Sequence, residues 1–367
     1  MNKLVVSNLV HRPIRALISI TAIAVEVTLI LVVVGLLLGI LDDSKHRQAG
    51  IGADVIVQPP GASAIGLMSS APVSVKYADI IRPLPHVLAV TPIITQLSTT
   101  DTVEVLYGID LKSFEEVGGP LHYVEGGPFK KYDDILIDDF LANSKNFHVG
   151  SKINLLNHAF NVSGVVEHGR GARKFVQLST LQDLLGAPGR ASIFYVKADR
   201  PENAQLIVDE IKKINGMEQF TVRTMQEWLS MMTPDNIPMF STSIHVVIGV
   251  AVIIGFIVIF QAMYTAVMER TREIGILKSL GASKAYIVNV VLRETILLAL
   301  AGIGLGIVIS GLVQRGIHLR FPTLQPEMPP NWILRAVVIA LVGAIVGAIY
   351  PAFKAAQKDP IDALAYE

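Results

Sequence analysis

Four stretches of this 367-residue chain stay free of charge for long enough to cross a lipid bilayer. A spanning helix needs about 20 apolar residues at a rise of about 1.5 Å each. The stretches cover residues 16–41, 243–268, 295–314 and 336–353, and Glu26 alone interrupts the first. Only 17% of the residues are charged, against roughly 25% in ordinary soluble proteins. The sequence therefore predicts an α-helical membrane protein with four transmembrane helices.

The first stretch could instead be read as a secretory signal peptide, because basic residues precede it. Its apolar core is much longer than the roughly 7–15 residues of such a peptide. No convincing small-residue cleavage site follows it. A retained membrane-spanning helix is the preferred interpretation.

The short segments between the predicted spans differ in their content of Lys and Arg, which sets orientation. Ten of these residues fall in segments 1–15, 269–294 and 354–367, and three fall in segment 315–335. The bias predicts that both termini and segment 269–294 face the cytoplasm. Segment 315–335 and the long segment 42–242 would then lie on the opposite side.

The long segment 42–242 has the pattern of a soluble α+β domain. Alternating apolar residues predict strands at 53–61, 152–156 and 160–166. A helix is predicted around 137–144, ending before Gly150. Pro201 indicates the start of another helix that Gly216 would stop. Its apolar residues at helical spacing are Leu206, Ile207, Ile211 and Ile214. The basic loop at 170–174 is interpreted as solvated surface.

Several kinds of chemistry find no support in the sequence. No phosphate-binding loop of the form G-x-x-x-x-G-K-[ST] occurs, so ATP hydrolysis by this chain is not expected. Motifs of zinc proteases and of serine hydrolases are also missing, which disfavours a membrane-anchored enzyme. The chain has no cysteine, and its 31 basic and 31 acidic residues give no argument for nucleic acid. The close methionines Met225, Met231 and Met232 are interpreted as packing residues rather than as a metal site.

Segment 269–294 carries the most specific pattern. A dense charge cluster follows the second span, and Glu269 and Glu273, four residues apart, are predicted to share a helix face. A short amphipathic helix should follow, with Ile274, Leu277 and Leu280 on its apolar side. Gly281 is suited to the left-handed residue after a helix, and Ser283 to the cap of the next one. A solvated loop obeying the charge bias would explain the basic residues but not these glycines.

The sequence of residues 266–294, AVMERTREIGILKSLGASKAYIVNVVLRE, strongly resembles the FtsX/MacB superfamily of ABC transporter permeases. The C-terminal YPAFKAAQKDPIDALAYE, the N-terminal NLVHRPIRALIS and two internal segments, ILIDDFLANSKNFHVGSKINL and FNVSGVVE, are similar to that superfamily as well. The resemblance implies a type VII fold, with a MacB-like periplasmic core domain inserted between the first and second helices. In subunit layout the chain looks like DevC, HrtB or LolC, without a fused ATPase.

The resemblance implies a non-catalytic permease subunit in the bacterial cytoplasmic (inner) membrane. Its expected partners are two copies of an ABC ATPase that bind ATP and Mg, a second permease copy, a periplasmic adaptor and membrane lipids. ATP hydrolysis would drive export or extraction of a hydrophobic or amphiphilic substrate by mechanotransmission, and the substrate stays open. An FtsX-like transducer that activates a cell-wall hydrolase is the alternative. The residues expected to couple to the ATPase are Glu269, Arg270, Arg272, Glu273, Gly275, Lys278 and Gly281.

Glu26 and small residues mark possible contacts inside the membrane. A charge at mid-bilayer costs at least a few kcal/mol, so Glu26 must be protonated, paired or beside a polar cavity. His245 and Gln261 are candidate partners by type, and a structural contact and a substrate contact both stay open. Gly35 and Gly39 are expected at the dimer interface together with Glu26. The pairs Gly302/Gly306 and Gly343/Gly347 could equally pack within one subunit.

Overall fold

A computed structural model describes residues 13–61, 72–98 and 104–357. The chain divides into two compact units. The helical unit contains residues up to Leu38 together with Met239–Leu319 and residues from Pro326 onward. The inserted unit contains Gly39–Pro238 and Arg320–Gln325. Residues 1–12 of the predicted N-terminal segment and residues 358–367 of the predicted tail lie outside the described residues.

The described elements follow one another along the chain in a simple order. They are α1 Pro13–Ala49, β1 Val55–Gln58, β2 Val73–Ser74, α2 Tyr77–Ile81, β3 Val87–Ser98, β4 Glu104–Ile109, α3 Leu111–Gly118, β5 Tyr123–Gly126, β6 Asp134–Asp138, α4 Asp139–Lys145, β7 Lys152–Leu155, β8 His158–Val166, β9 Lys174–Gln177, α5 Leu178–Leu184, β10 Arg190–Ala191, β11 Ile193–Ala198, α6 Ala204–Lys212, β12 Thr221–Thr224, α7 Met225–Met231, α8 Pro238–Glu269, α9 Thr271–Ser279, α10 Lys284–Arg320 and α11 Pro330–Gln357. Short 3₁₀ turns precede α6 and α8 at Pro201–Asn203 and Pro234–Asn236.

Four helices, α1, α8, α10 and α11, are long and apolar enough to cross a membrane. Each is longer than the stretch that the sequence assigns to the bilayer, because a hydrogen-bonded helix does not have to end where the lipid ends. The fold is therefore that of a four-helix membrane protein with an α/β domain between the first and second spans.

Small residues bring the long helices of the helical unit close together. On α11, an alanine occurs at every fourth position from Ala336 to Ala348, and all four are fully buried. On α10, a methyl group at Gly302 would approach the Cβ of Ile23 on α1 to 2.7 Å. A methyl group at Gly306 would approach the Cβ of Val27 to 2.8 Å. These two glycines therefore serve packing within one chain, where backbones must approach closely.

The inserted unit is built on one ten-stranded mixed sheet in the order β12-β1-β11-β3-β4-β9-β6-β8-β5, with β7 paired to β8. Two apolar clusters cover it. One cluster lies around β1, β11 and α6, with Phe194 and Ile207 fully buried. The other lies around β6, β8 and α5, with Ile135 and Phe160 fully buried. The long strand β3 is shared, because Val90 belongs to the first cluster and Ile94 to the second.

The predicted strands near 53–61, 152–156 and 160–166 are confirmed as β1, β7 and β8. The helix predicted around 137–144 is wrong at its start, because Ile137 and Asp138 complete the buried strand β6. The Asp138 carboxylate accepts a hydrogen bond from the Leu141 N–H and so begins α4 one residue later. The helix after Pro201 is confirmed as α6, although Leu206 is 51% exposed rather than part of its buried face.

Candidate coupling segment and polar sites

The helix that follows the second span breaks at Arg270, which takes a non-helical conformation between α8 and α9. The Thr271 hydroxyl donates a hydrogen bond to the Met268 carbonyl at 2.8 Å. Glu269 is thus the last residue of α8, whereas Glu273 lies in the first turn of α9. The predicted common face of Glu269 and Glu273 is therefore wrong, because i,i+4 neighbours require one continuous helix.

The short helix α9 is amphipathic and packs on its neighbours. Thr271, Ile274 and Gly275 are buried. Ile274 joins an apolar cluster with Ile287 of α10 and Ala355 of α11. On the opposite side the exposed residues of this segment are Glu269, Arg272, Glu273, Ile276, Ser279, Leu280 and Gly281.

Leu280 departs from the predicted apolar face. It is the C-terminal cap of α9 and its side chain is 80% exposed. The helix ends here because Gly281 has a φ of +93°, which a residue with a side chain rarely adopts. The Gly281 N–H donates to the Lys278 carbonyl and the Ala282 N–H to the Leu277 carbonyl, each at 3.0 Å. This pair of bonds is a Schellman motif and confirms the left-handed residue predicted after α9.

The start of α10 also agrees with the sequence. The Ser283 Oγ accepts a hydrogen bond from the Tyr286 N–H at 3.2 Å, three residues further on. This is the geometry of an N-terminal cap. Residues 266–294 therefore form a helix–turn–helix in which α9 is held between two ordered turns.

Two predicted coupling residues point inward. An Arg270 guanidinium nitrogen lies 3.0 Å from a Glu294 carboxylate oxygen, and the two side chains are only 11% and 6% exposed. The Lys278 Nζ donates to the carbonyl oxygen of Ala356, in the last turn of α11, at 3.1 Å. Glu294 was not singled out from the sequence. A carboxylate preceding an apolar stretch was its only signal, and its partner is 24 positions away.

Glu26 is buried inside the chain's own helical unit, with 3% of its surface exposed. A methyl group at Gly255 on α8 would collide with its carboxylate, and one at Gly343 on α11 would lie 3.9 Å from its Oε1. Oε1 has no hydrogen-bond partner among the described residues. The predicted partners lie elsewhere, since His245 contacts the Ser241 carbonyl on its own helix and Gln261 is exposed.

Gly35 and Gly39 are both buried on α1. The Gly35 carbonyl accepts a hydrogen bond from the Glu327 N–H at 3.0 Å, and a methyl group at Gly35 would collide with the Glu327 carbonyl oxygen. Close approach to the segment before α11 thus already requires a glycine at position 35. The dimer contact expected of Gly35, Gly39 and Glu26 stays a prediction.

The basic loop at 170–174 is not solvated surface, because Arg173 and Lys174 are buried. The Arg173 guanidinium lies 3.0 Å from the carboxylate of Asp138 and 3.0 Å from that of Asp43 near the end of α1. It also donates to the Thr323 carbonyl at 3.1 Å. This junction, formed by Asp43, Asp138, Arg173 and Thr323, lies within the inserted unit.

The Asp138 carboxyl has an unusual acidity. Burial raises the pKa of Asp138 to about 6, against the opposing effects of the Arg173 charge and the Leu141 N–H. The last turns of α1 make further contacts with the same unit. Arg47 donates to the Gly171 carbonyl at 3.0 Å, and the Gln48 side chain bonds the hydroxyls of Tyr107 and Tyr195 at 3.0 and 2.8 Å.

Within the described ranges, no group of three or more His, Cys, Asp or Glu side chains is placed to hold a metal ion. Met225 and Met232 are buried in the inserted unit, which agrees with packing roles.

Two family models match the chain. The MacB-like periplasmic core domain covers residues 16–214, and the C-terminal domain of FtsX-like permeases covers residues 245–360. The first match alone spans more than half of the chain. The chain therefore belongs to the FtsX/MacB superfamily of ABC transporter permeases.

Individual relatives agree with this assignment. The uncharacterized ABC transporter permease YknZ of Bacillus subtilis is 33% identical over 47% of this chain and 42% of its own length. The macrolide export ATP-binding/permease protein MacB of Hahella chejuensis is 27% identical over 97% of this chain and 58% of its own length. The chain thus spans about half the length of these curated relatives. The crystal structure of the periplasmic region of MacB from Actinobacillus actinomycetemcomitans aligns with a TM-score of 0.39, at 16% identity, over 50% of this chain and 94% of that one.

Proposed function

We propose that this permease couples ATP hydrolysis by a separate ABC ATPase to the export or extraction of a hydrophobic or amphiphilic substrate. The observation that carries the proposal is the geometry of α9. Its buried face is fixed to α10 and α11, while Arg272, Glu273 and Leu280 are presented to solvent. A rigid, charged projection between two long helices is suited to receive a push from a docked protein.

The proposal places α9 on the cytoplasmic side and the inserted unit on the other side of the membrane. The excess of Lys and Arg around α9 supports this orientation. Because the chain has no cysteine, single-cysteine labelling from either side of the membrane needs no background removal. We expect Ser279→Cys to react only with cytoplasmic reagent and Glu202→Cys only with external reagent. Labelling of both from one side would refute the orientation.

In the assembly that we propose, two ATPase copies bind ATP and Mg, and two permease copies form a dimer. Closure of the ATPases on ATP would move α9, and the long helices would carry that movement to the inserted unit. Helix α1 supports such a route, because one uninterrupted helix runs from Pro13 to Ala49 and its last turns bond to the inserted unit through Arg47 and Gln48. No substrate channel is needed for this mechanism.

Co-purification from detergent-solubilised native membranes tests the proposal. The tagged wild-type chain should recover a protein with an ABC ATPase phosphate-binding loop. The double variant Arg272→Glu, Glu273→Arg should lose it, because the exposed charges of α9 are reversed. The control Lys354→Glu reverses an exposed charge near the end of α11, away from α9, and should keep the ATPase. Equal recovery with all three chains would contradict docking at α9, and recovery of none would contradict the proposed function.

A further inference from the structure

The helix α9 has only nine residues, which is too short for a helix to be stable in water without packing. Its orientation must therefore come from contacts with other helices. Ile274 provides an apolar contact, but apolar contacts are not directional. The directional contacts are polar, and they lie at the two ends of the helix.

At the N-terminal end, the buried ion pair of Arg270 and Glu294 ties the break between α8 and α9 to α10. Arg270 is the residue at which the chain leaves the helical conformation, so its backbone direction and its ion pair are coupled. Removing one partner of such a pair leaves a buried charge without compensation, which is strongly unfavourable.

At the C-terminal end, Lys278 donates to the Ala356 carbonyl in the last turn of α11. The last carbonyls of a helix have no partner within the helix, and a cation favours this end through the helix dipole. This contact ties α9 to a second helix. With one attachment to α10 and another to α11, α9 cannot rotate about either one alone.

We propose that Arg270, Glu294 and Lys278 form a clamp that orients α9, and that these three are positioning residues rather than ATPase contacts. The proposal rests on the proposed function and divides the predicted coupling set in two. Arg272 and Glu273, exposed on α9, dock the ATPase. The clamp converts a push on them into a joint movement of α10 and α11.

The test uses the full-length chain with its ATPase in lipid nanodiscs. The variants are Arg270→Gln, Glu294→Gln and the charge exchange Arg270→Glu with Glu294→Arg. Arg272→Gln, two positions from Arg270 but exposed, is the matched control. Three quantities are measured: the affinity for the ATPase, the ATP turnover of the complex, and hydrogen–deuterium exchange of the α9 amides.

We expect each single clamp variant to keep the ATPase affinity within about twofold, because no docking contact is lost. Exchange of the α9 amides should accelerate by about tenfold or more, since local opening becomes easier. Permease-dependent ATP turnover should fall several-fold, and the charge exchange should restore at least about half of it. The control Arg272→Gln should weaken affinity with α9 exchange unchanged.

An affinity loss for Arg270→Gln as large as that for Arg272→Gln would overturn the proposal, because Arg270 would then be a docking residue. So would a charge exchange that folds but restores no turnover. If the wild-type chain binds no ATPase at all, the proposed function fails, yet amide exchange still decides the clamp. Unchanged α9 exchange in both single variants would then overturn it.

Discussion

Replacing Arg173 by methionine should destabilise the inserted unit in a strongly pH-dependent way. Methionine keeps much of the apolar stem but removes the charge between Asp138 and Asp43. Asp43 retains Arg47, whose Nε lies 3.0 Å from the same carboxylate oxygen. Asp138 is left with its capping bond alone, and its side chain is 2% exposed. The cost of Arg173→Met therefore falls mainly on Asp138.

The magnitude follows from the state of that carboxyl. The pKa of Asp138 is raised from 3.8 to about 6, so its protonated form is favoured by folding. Its contribution to stability is fully present below about pH 4 and is lost as pH rises through about 6, by roughly 3 kcal/mol. Without Arg173 the pKa of Asp138 rises further, and the loss extends to higher pH. We expect Arg173→Met to cost about 1 kcal/mol at pH 5 and about 3–5 kcal/mol at pH 8.

Urea unfolding of the full-length chain in detergent, followed by fluorescence, measures these values. The chain has two tryptophans, and Trp228 is buried in the inserted unit. Trp332→Phe therefore makes the signal specific to that unit. Adding Asp138→Asn to Arg173→Met should recover stability at pH 8, because asparagine still caps α4 and carries no charge. A destabilisation that is equal at pH 5 and pH 8, or no recovery with Asp138→Asn, would refute the reasoning.

Three further predictions concern the helical unit, each measured by thermal or urea unfolding in nanodiscs. Gly255→Ala should lower the melting temperature, because the new methyl group meets the Glu26 carboxylate, and adding Glu26→Ala should restore it; no recovery would place the conflict elsewhere. Ile274→Ala should cost about 2–4 kcal/mol and Leu280→Ala at most about 0.5 kcal/mol, since only the first is buried; equal costs would contradict the orientation of α9. Gly281→Ala should cost about 1 kcal/mol because of its positive φ, and a neutral effect would argue against the turn after α9.

The parts of this structure that depend on local rules could be predicted from the sequence. The bilayer demands long apolar stretches, and four helices of that kind are present. The left-handed Gly281 and the capping Ser283 follow from conformational preferences of single residues, and both occur. Loss of helical continuity at Arg270 could not be predicted, because it depends on a side chain that reaches across to α10.

Contacts between distant positions could not be predicted. Arg173 and Asp138 are 35 positions apart, and residue types alone made the loop of Arg173 look like solvated surface. Arg270 and Glu294 are 24 positions apart and were separated by the same lack of information. Both pairs require the packed fold to be visible, since a buried charge is tolerated only where its partner is also buried.

Photo-crosslinking from α9 tests the central claim most directly. A photoreactive phenylalanine analogue at Ile276, which is exposed on α9, is compared in the native host with the same analogue at Leu206, which is exposed on α6 of the inserted unit. The account predicts an adduct between position 276 and an ABC ATPase, identified by mass spectrometry, and none from position 206. An ATPase adduct from position 206, or its absence from position 276, would contradict the account.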